Sequence, residues 1–70
     1  MNKPVIIKVR FLKDGKPAGQ PYPYYTHDIF MIGDIVKVND YARGIVVDID
    51  VEESEVEGKN IKFIHGRAEE

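Results

Sequence analysis

Apolar and polar positions alternate along this chain in short runs, and the clearest lies between Ile32 and Ile49, IGDIVKVNDYARGIVVDI. It reads as two strands, residues 35–38 and 44–51, joined by a tight polar loop. Gly33-Asp34 sets a turn in front, and Gly44 stands where the chain bends back. Branched side chains dominate both runs and suit a pleated, half-buried surface. Residues 5–12, VIIKVRFL, form an earlier strand with Ile7, Val9 and Phe11 on one face and Ile6, Lys8, Arg10 and Leu12 on the other. That alternation puts one face on the core and one largely in water. Lys13-Asp14-Gly15-Lys16 is the strongest hairpin signal, because Asp-Gly supplies the positive φ of a tight turn. Pro17, Gly19 and Pro21 predict a connection longer than two residues, a loop or a bulged entry. A second strand follows at 22–26, YPYYT. Pro23 has no N–H for a ladder, which predicts an edge strand. Tyr22 and Tyr24 share one face of it and Tyr25 takes the other.

The segment His27–Met31 has no clear period. It has room for one short helical or 3₁₀ turn, with Ile29, Phe30, Met31 and Ile32 partly buried as a plug. Residues 52–58, EESEVEG, read as a solvated acidic connection ending at Gly58. Residues 60–65, NIKFIH, read as a fifth strand, with Ile61 and Phe63 facing one way and Lys62 and Ile64 the other. The closing GRAEE reads as a polar tail that frays. Five short strands, frequent turn signals and no amphipathic helix predict an all-β fold. The expected form is a single small five-stranded antiparallel barrel, SH3-like or OB-like, over residues 1–66 with a tail at 67–70.

Composition narrows the function classes. Seventy residues make one domain,, and a chain of this size buries only roughly 60% of its unfolded surface. With no cysteine, neither a disulfide nor a thiolate zinc site supplements the core, which suits a reducing compartment. No apolar run approaches the roughly 20 residues of a membrane helix, and MNKPVIIKVR has no signal-peptide apolar region. A cytoplasmic protein without membrane association is the default expectation. The net charge of −2 is unevenly spread. Lys3, Lys8, Arg10, Lys13 and Lys16 face only Asp14 in the first twenty residues, and acids lead thereafter. A whole-chain basic footprint for nucleic acid is absent, while a local basic face is open to the first strand and hairpin.

Candidate chemistry is sparse. The lone serine, Ser54, lies in the acidic loop, where no rigid element holds it beside a histidine,. His27 and His65 are far apart in sequence, and capping or solvent-facing roles outweigh a metal- or ligand-binding site. Asp48 and Asp50 share a strand face in VVDIDV and read as its outward polar positions. No glycine-rich phosphate loop or calcium loop is present. The expectation is a non-enzyme with no cofactor and no metal. For binding, Tyr22, Tyr24, Tyr25 and Tyr41 stand with Lys8, Arg10, Lys37, Arg43 and Lys62. Small barrels that hold single strands stack bases on aromatics and hold phosphates with basic side chains. The competing explanation is that tyrosines fill a small core and lysines keep it soluble.

The order of these pieces carries a resemblance. A V-x-V strand at Val5–Phe11 is followed by Tyr22-Pro23-Tyr24, then Gly33-Asp34-Ile35-Val36-Lys37-Val38. Next come a loop with Tyr41 and Arg43, Gly44-Ile45-Val46-Val47, an acidic stretch, and Ile61-Lys62. From Tyr22 to Lys62 this resembles the N-terminal DNA-binding domain of the primosomal protein N-prime family of replication-restart helicases, and is similar to small phage-encoded proteins with the same barrel pattern. The resemblance implies a pocket for the terminal nucleotide of a DNA 3′ end, lined by an aromatic, an aspartate, a glycine and a lysine. The aromatic falls on Tyr22 and the lysine on Lys62. The aspartate falls on Pro23, which cannot accept a hydrogen bond from a sugar hydroxyl, and the loop glycine has no counterpart in the shorter Asn39–Arg43 loop. The expectation is a non-catalytic module of phage or mobile-element origin. It would contact single-stranded or 3′-ended DNA weakly through Lys8, Arg10, Tyr22, Tyr24, Arg43 and Lys62. The alternative is a protein-interaction or structural module that self-associates or pairs with a partner through an edge strand.

Overall fold

The computed structural model describes residues 3–68. The fold is all-β: strands β1 (Val5–Lys13), β2 (Lys16–Thr26), β3 (Ile35–Lys37), β4 (Arg43–Val51) and β5 (Gly66–Arg67), with one 3₁₀ turn at Glu53–Val56. They form one antiparallel sheet in the order β2-β1-β4-β3-β5. Among the described residues no helix is long and apolar enough to cross a membrane.

The Asp14-Gly15 turn forms as expected, with φ of 53° and 78°, the positive values of a two-residue hairpin. Lys13 pairs with Lys16, so the connection is two residues long and not longer. Pro17, Gly19 and Pro21 lie within β2 instead. Pro17 pairs with Leu12, and a bulge follows: Phe11 faces Ala18 and Val9 faces Tyr22, with Gly19 at φ 75° and Pro21 inside it. β2 is an edge strand, which leaves the missing N–H of Pro23 without cost to a ladder.

Two clusters make the core. The larger joins Ile7, Val9, Phe30, Val36, Val38, Val46 and Ile64, with Phe11, Tyr24 and Ile49 packed against it. The smaller joins Ile6, Val51 and Val56, flanked by Tyr25 and Ile61. The acidic segment is therefore not a merely solvated connection. Its 3₁₀ turn carries Val56 into the back of the sheet, and Glu52 N donates to the Glu55 carboxylate at 3.3 Å to hold that turn.

Three expectations need correction. The sheet is not closed into a barrel: β2 and β5 are its edges. The physical reason is that residues 60–65 do not form the fifth strand. They make one isolated parallel bridge, Phe63 with Tyr25, and the strand proper is the two-residue β5 in the supposed tail. Finally, the plug is Phe30 alone, 3% exposed, while Ile29, Met31 and Ile32 point outward at 87%, 63% and 63%.

Arg67 explains how that plug is held. Its guanidinium lies 5.0 Å over the Phe30 ring, 3.2 Å from the Asp34 carboxylate and 3.3 Å from the Ile29 carbonyl. Met31 N also donates to Asp34, at 2.9 Å. That backbone donor, followed by Arg67, holds the Asp34 carboxyl below its ordinary value of 3.8, because both interactions favour the charged form.

Gly44 is buried, opposite Phe11 on β1 and Val36 on β3. A Cβ there would overlap the Val9 side chain and lie 2.9 Å from the Arg10 carbonyl. Gly44→Ala is expected to destabilise the fold by about 1–3 kcal/mol, the usual cost of overpacking. Urea unfolding reads this as a lower midpoint with an unchanged slope, and an unchanged midpoint would refute it. Asp34 generates a pH prediction. A depressed carboxyl pKa stabilises the fold above the unfolded value and loses that contribution as pH falls through the folded one. Thermal melts from neutral to strongly acidic pH should show Asp34→Asn less stable at neutral pH and converging on the wild type in acid. A constant gap across that range would rule the linkage out.

Candidate nucleic-acid interface

The fold distributes the six expected contact residues over three places. In the β1–β2 pair, Tyr22 stands opposite Val9 and Tyr24 opposite Ile7. Cross-strand partners share a face, so both tyrosines lie on the side of the main core. Tyr24 is half-buried against that core. Burial pushes its phenol above the ordinary value, and neighbouring Tyr22 acts in the same direction, so the hydroxyl stays protonated at neutral pH. Tyr22 sets its ring edge-on to Phe11, with centroids 5.7 Å apart, and leaves half of itself in solvent.

The backbone brings a distant segment to the same edge. Tyr25 N donates to the Lys62 carbonyl and Ile64 N donates to the Tyr25 carbonyl, both at 2.9 Å. Lys59 and Lys62 then meet Tyr22, Pro23 and Tyr24 around an open cleft of about 490 Å³, with Gln20 and Asn60 also on its wall. Among the described residues neither lysine has an ion-pair partner. The cleft thus offers aromatic faces for stacking and two ammonium groups for phosphate, with amide side chains for hydrogen bonds.

The other three residues are elsewhere. Lys8 and Arg10 alternate with Ile7 and Val9 and so occupy the opposite face of β1. Lys8 pairs with Glu55 at 3.7 Å, a surface contact of the kind worth about 0–1 kcal/mol. Arg10 donates through Nε to the Gly19 carbonyl at 3.0 Å, clipping the bulge. Arg43 begins β4 and lines a separate cleft of about 540 Å³ with Lys37 and Tyr41. Tyr41 is 98% exposed, on a turn in which its N–H donates to Asn39 Oδ1 at 2.8 Å.

Lys59, Asn60 and Gln20 are cleft residues that the sequence did not single out. The available signal was the basic residue after Gly58, three positions before Lys62. The histidines have unrelated surroundings. His27 stacks on Phe63 with centroids 5.3 Å apart, and His65 Nδ1 lies 3.5 Å from Asp40 Oδ1. Asp50 has left-handed φ at 60°, so the strand alternation that would pair it with Asp48 is broken. Among the described residues no group of three or more metal-ligating side chains is assembled. Comparison with known protein families, curated proteins and solved structures finds no match for this chain.

Proposed function

We propose that this protein is a non-catalytic binding module that takes single-stranded or 3′-ended DNA weakly in the cleft at the β2 edge. One observation carries the reading: Tyr22 and Tyr24 share that cleft with Lys62, some forty residues away in sequence, and with Lys59. Tyr22 and Lys62 are also the two positions that match the helicase-family pocket. Pro23 occupies the place of that pocket's aspartate and offers no acceptor, so stacking and phosphate contacts supply the binding here. In the same reading the sheet is kin to the SH3-like and OB-like small barrels. Support for that kinship comes from the Tyr25–Phe63 bridge, which brings the chain before β5 to the β2 edge. A cytoplasmic setting fits a chain without cysteine, and a phage or mobile-element origin rests on the resemblance.

Edge-strand pairing has less to stand on. Pro17, Pro21 and Pro23 remove donors from β2, Tyr25 is already bonded to residues 62–64, and β5 is two residues long. Prolines and short strands are common devices that block strand addition.

Fluorescence anisotropy with labelled single-stranded, 3′-recessed and blunt duplex DNA tests the proposal across salt concentrations. Two lysine–phosphate contacts on a single strand give a log–log salt slope of about −1.4, and Lys62→Ala should halve it. Tyr22→Ala should cost about 1–3 kcal/mol of affinity without changing the slope, the signature of lost stacking. Lys8→Ala should change neither. Equal binding to blunt duplex, or equal damage from Lys8→Ala and Lys62→Ala, would overturn the reading.

A further inference from the structure

At the end of β1 away from the hairpin, a second surface combines exposed apolar side chains with acids. A cavity of about 180 Å³ opens between Val5, Ile29 and Ile49, with Ile7 and Phe30 among its lining and Asp28 and Asp50 beside them. A second hollow of about 290 Å³ adjoins it, sharing Val5 and Asp50 and adding Glu53. No basic residue lines either hollow among the described residues, and none of the three carboxylates has an ion-pair partner there. Ile29 is 87% exposed and Val5 52%.

These apolar residues are not exposed through loose folding. Phe30 is pinned under Arg67, whose guanidinium also holds the Ile29 carbonyl at 3.3 Å. Thr26 Oγ1 accepts from Asp28 N at 3.0 Å and fixes the approach to the loop. Asp50 keeps a left-handed φ of 60°, a conformation that costs energy in a residue other than glycine. An apolar hollow with room for one large side chain, whose lining carries acids and no base, has the anatomy of an anchor pocket,.

We propose that this groove docks a segment of a partner protein in which an apolar anchor side chain is flanked by lysine or arginine. The anchor enters between Val5, Ile29 and Ile49, and the flanking cations meet Asp28, Asp50 and Glu53. The groove is independent of the tyrosine–lysine cleft, so it stands whether or not the protein binds DNA.

The test is an amide-shift titration of the isotope-labelled full chain with a short synthetic amphipathic peptide of leucine and lysine, against its leucine–glutamate counterpart. The lysine peptide should shift Val5, Ile29 and Asp50 saturably, and the glutamate peptide should not. Asp28→Asn with Asp50→Asn should weaken binding roughly fivefold, the size expected for losing two exposed ion pairs. Ile29→Ser, at an exposed position that leaves the remaining spectrum intact, should abolish the shifts at Val5 and Asp50. Equal shifts with both peptides, shifts confined to Glu52–Glu57, or binding indifferent to Ile29→Ser would each overturn the proposal. Concentration-dependent shifts at these residues without peptide would assign the groove to a second copy of the chain and overturn it equally.

Discussion

Ile6 and Ile7 are neighbours on β1, point to opposite faces, and are both 2% exposed. That pair sets the problem the rest of the chain solves. A single sheet has two faces, and among the described residues no helix layer covers either,. The front face is covered by loop residues: Phe30 from the β2–β3 connection and Ile64 from the segment before β5. The back is covered by Val56, carried in by the 3₁₀ turn after β4, with Ile61 and Tyr25 beside it. Each cover depends on polar contacts that aim a loop. Arg67 holds Phe30 down, the Tyr25–Lys62–Ile64 backbone bonds bring Ile64 in, and Glu55 folds back on Glu52 to present Val56.

This division explains which parts of the fold were legible. Long alternating runs state their own face, so β1 and β4 could be read directly, as could the Asp14-Gly15 turn and the edge position of a strand containing Pro23. The covering pieces have no such period. In Ile29-Phe30-Met31-Ile32 four large apolar residues follow one another, and only the cation above Phe30 distinguishes it from its neighbours. That cation belongs to a segment, GRAEE, whose composition signals a frayed tail. Residues 60–65 alternate like a strand, yet their job is to cross from the back of the sheet to the front. Ile61 packs on one cluster and Ile64 on the other, an arrangement extended alternation does not describe. Val56, the one apolar residue among the acids of ESEVEG, was the visible sign that this stretch is more than solvated.

The candidate site was legible in its residue types and less so in its geometry. Tyr22, Tyr24 and Lys62 do meet. Lys8 and Arg10 do not join them, and counting from the hairpin shows why. Between Val9 and Phe11 the register advances by two residues of β1 against four of β2. A slip of two preserves side-chain parity, so both tyrosines remain on the face of Ile7 and Val9, opposite Lys8 and Arg10. The convergence of Lys59 and Lys62 on that edge depends instead on the crossing segment and its backbone bonds to Tyr25.

Folding also redistributes the charge that the linear sequence displays. The two basic residues of the first twenty that were expected to bind are engaged elsewhere: Lys8 is paired with Glu55, and Arg10 is clipped to the Gly19 carbonyl. The acid-rich remainder supplies the two cations of the cleft, Lys59 and Lys62, as well as the carboxylates of the acidic groove. What separates them is the path of residues 52–64, which leaves β4 with Glu53 near Val5, turns under the back of the sheet at Val56, and reaches the β2 edge at Lys62. One crossing therefore completes the hydrophobic back face, places cations beside exposed tyrosine, and adds Glu53 to the groove that Asp28 and Asp50 also flank. Two surfaces of opposite sign on a chain of net charge −2 are a consequence of how this sheet is covered.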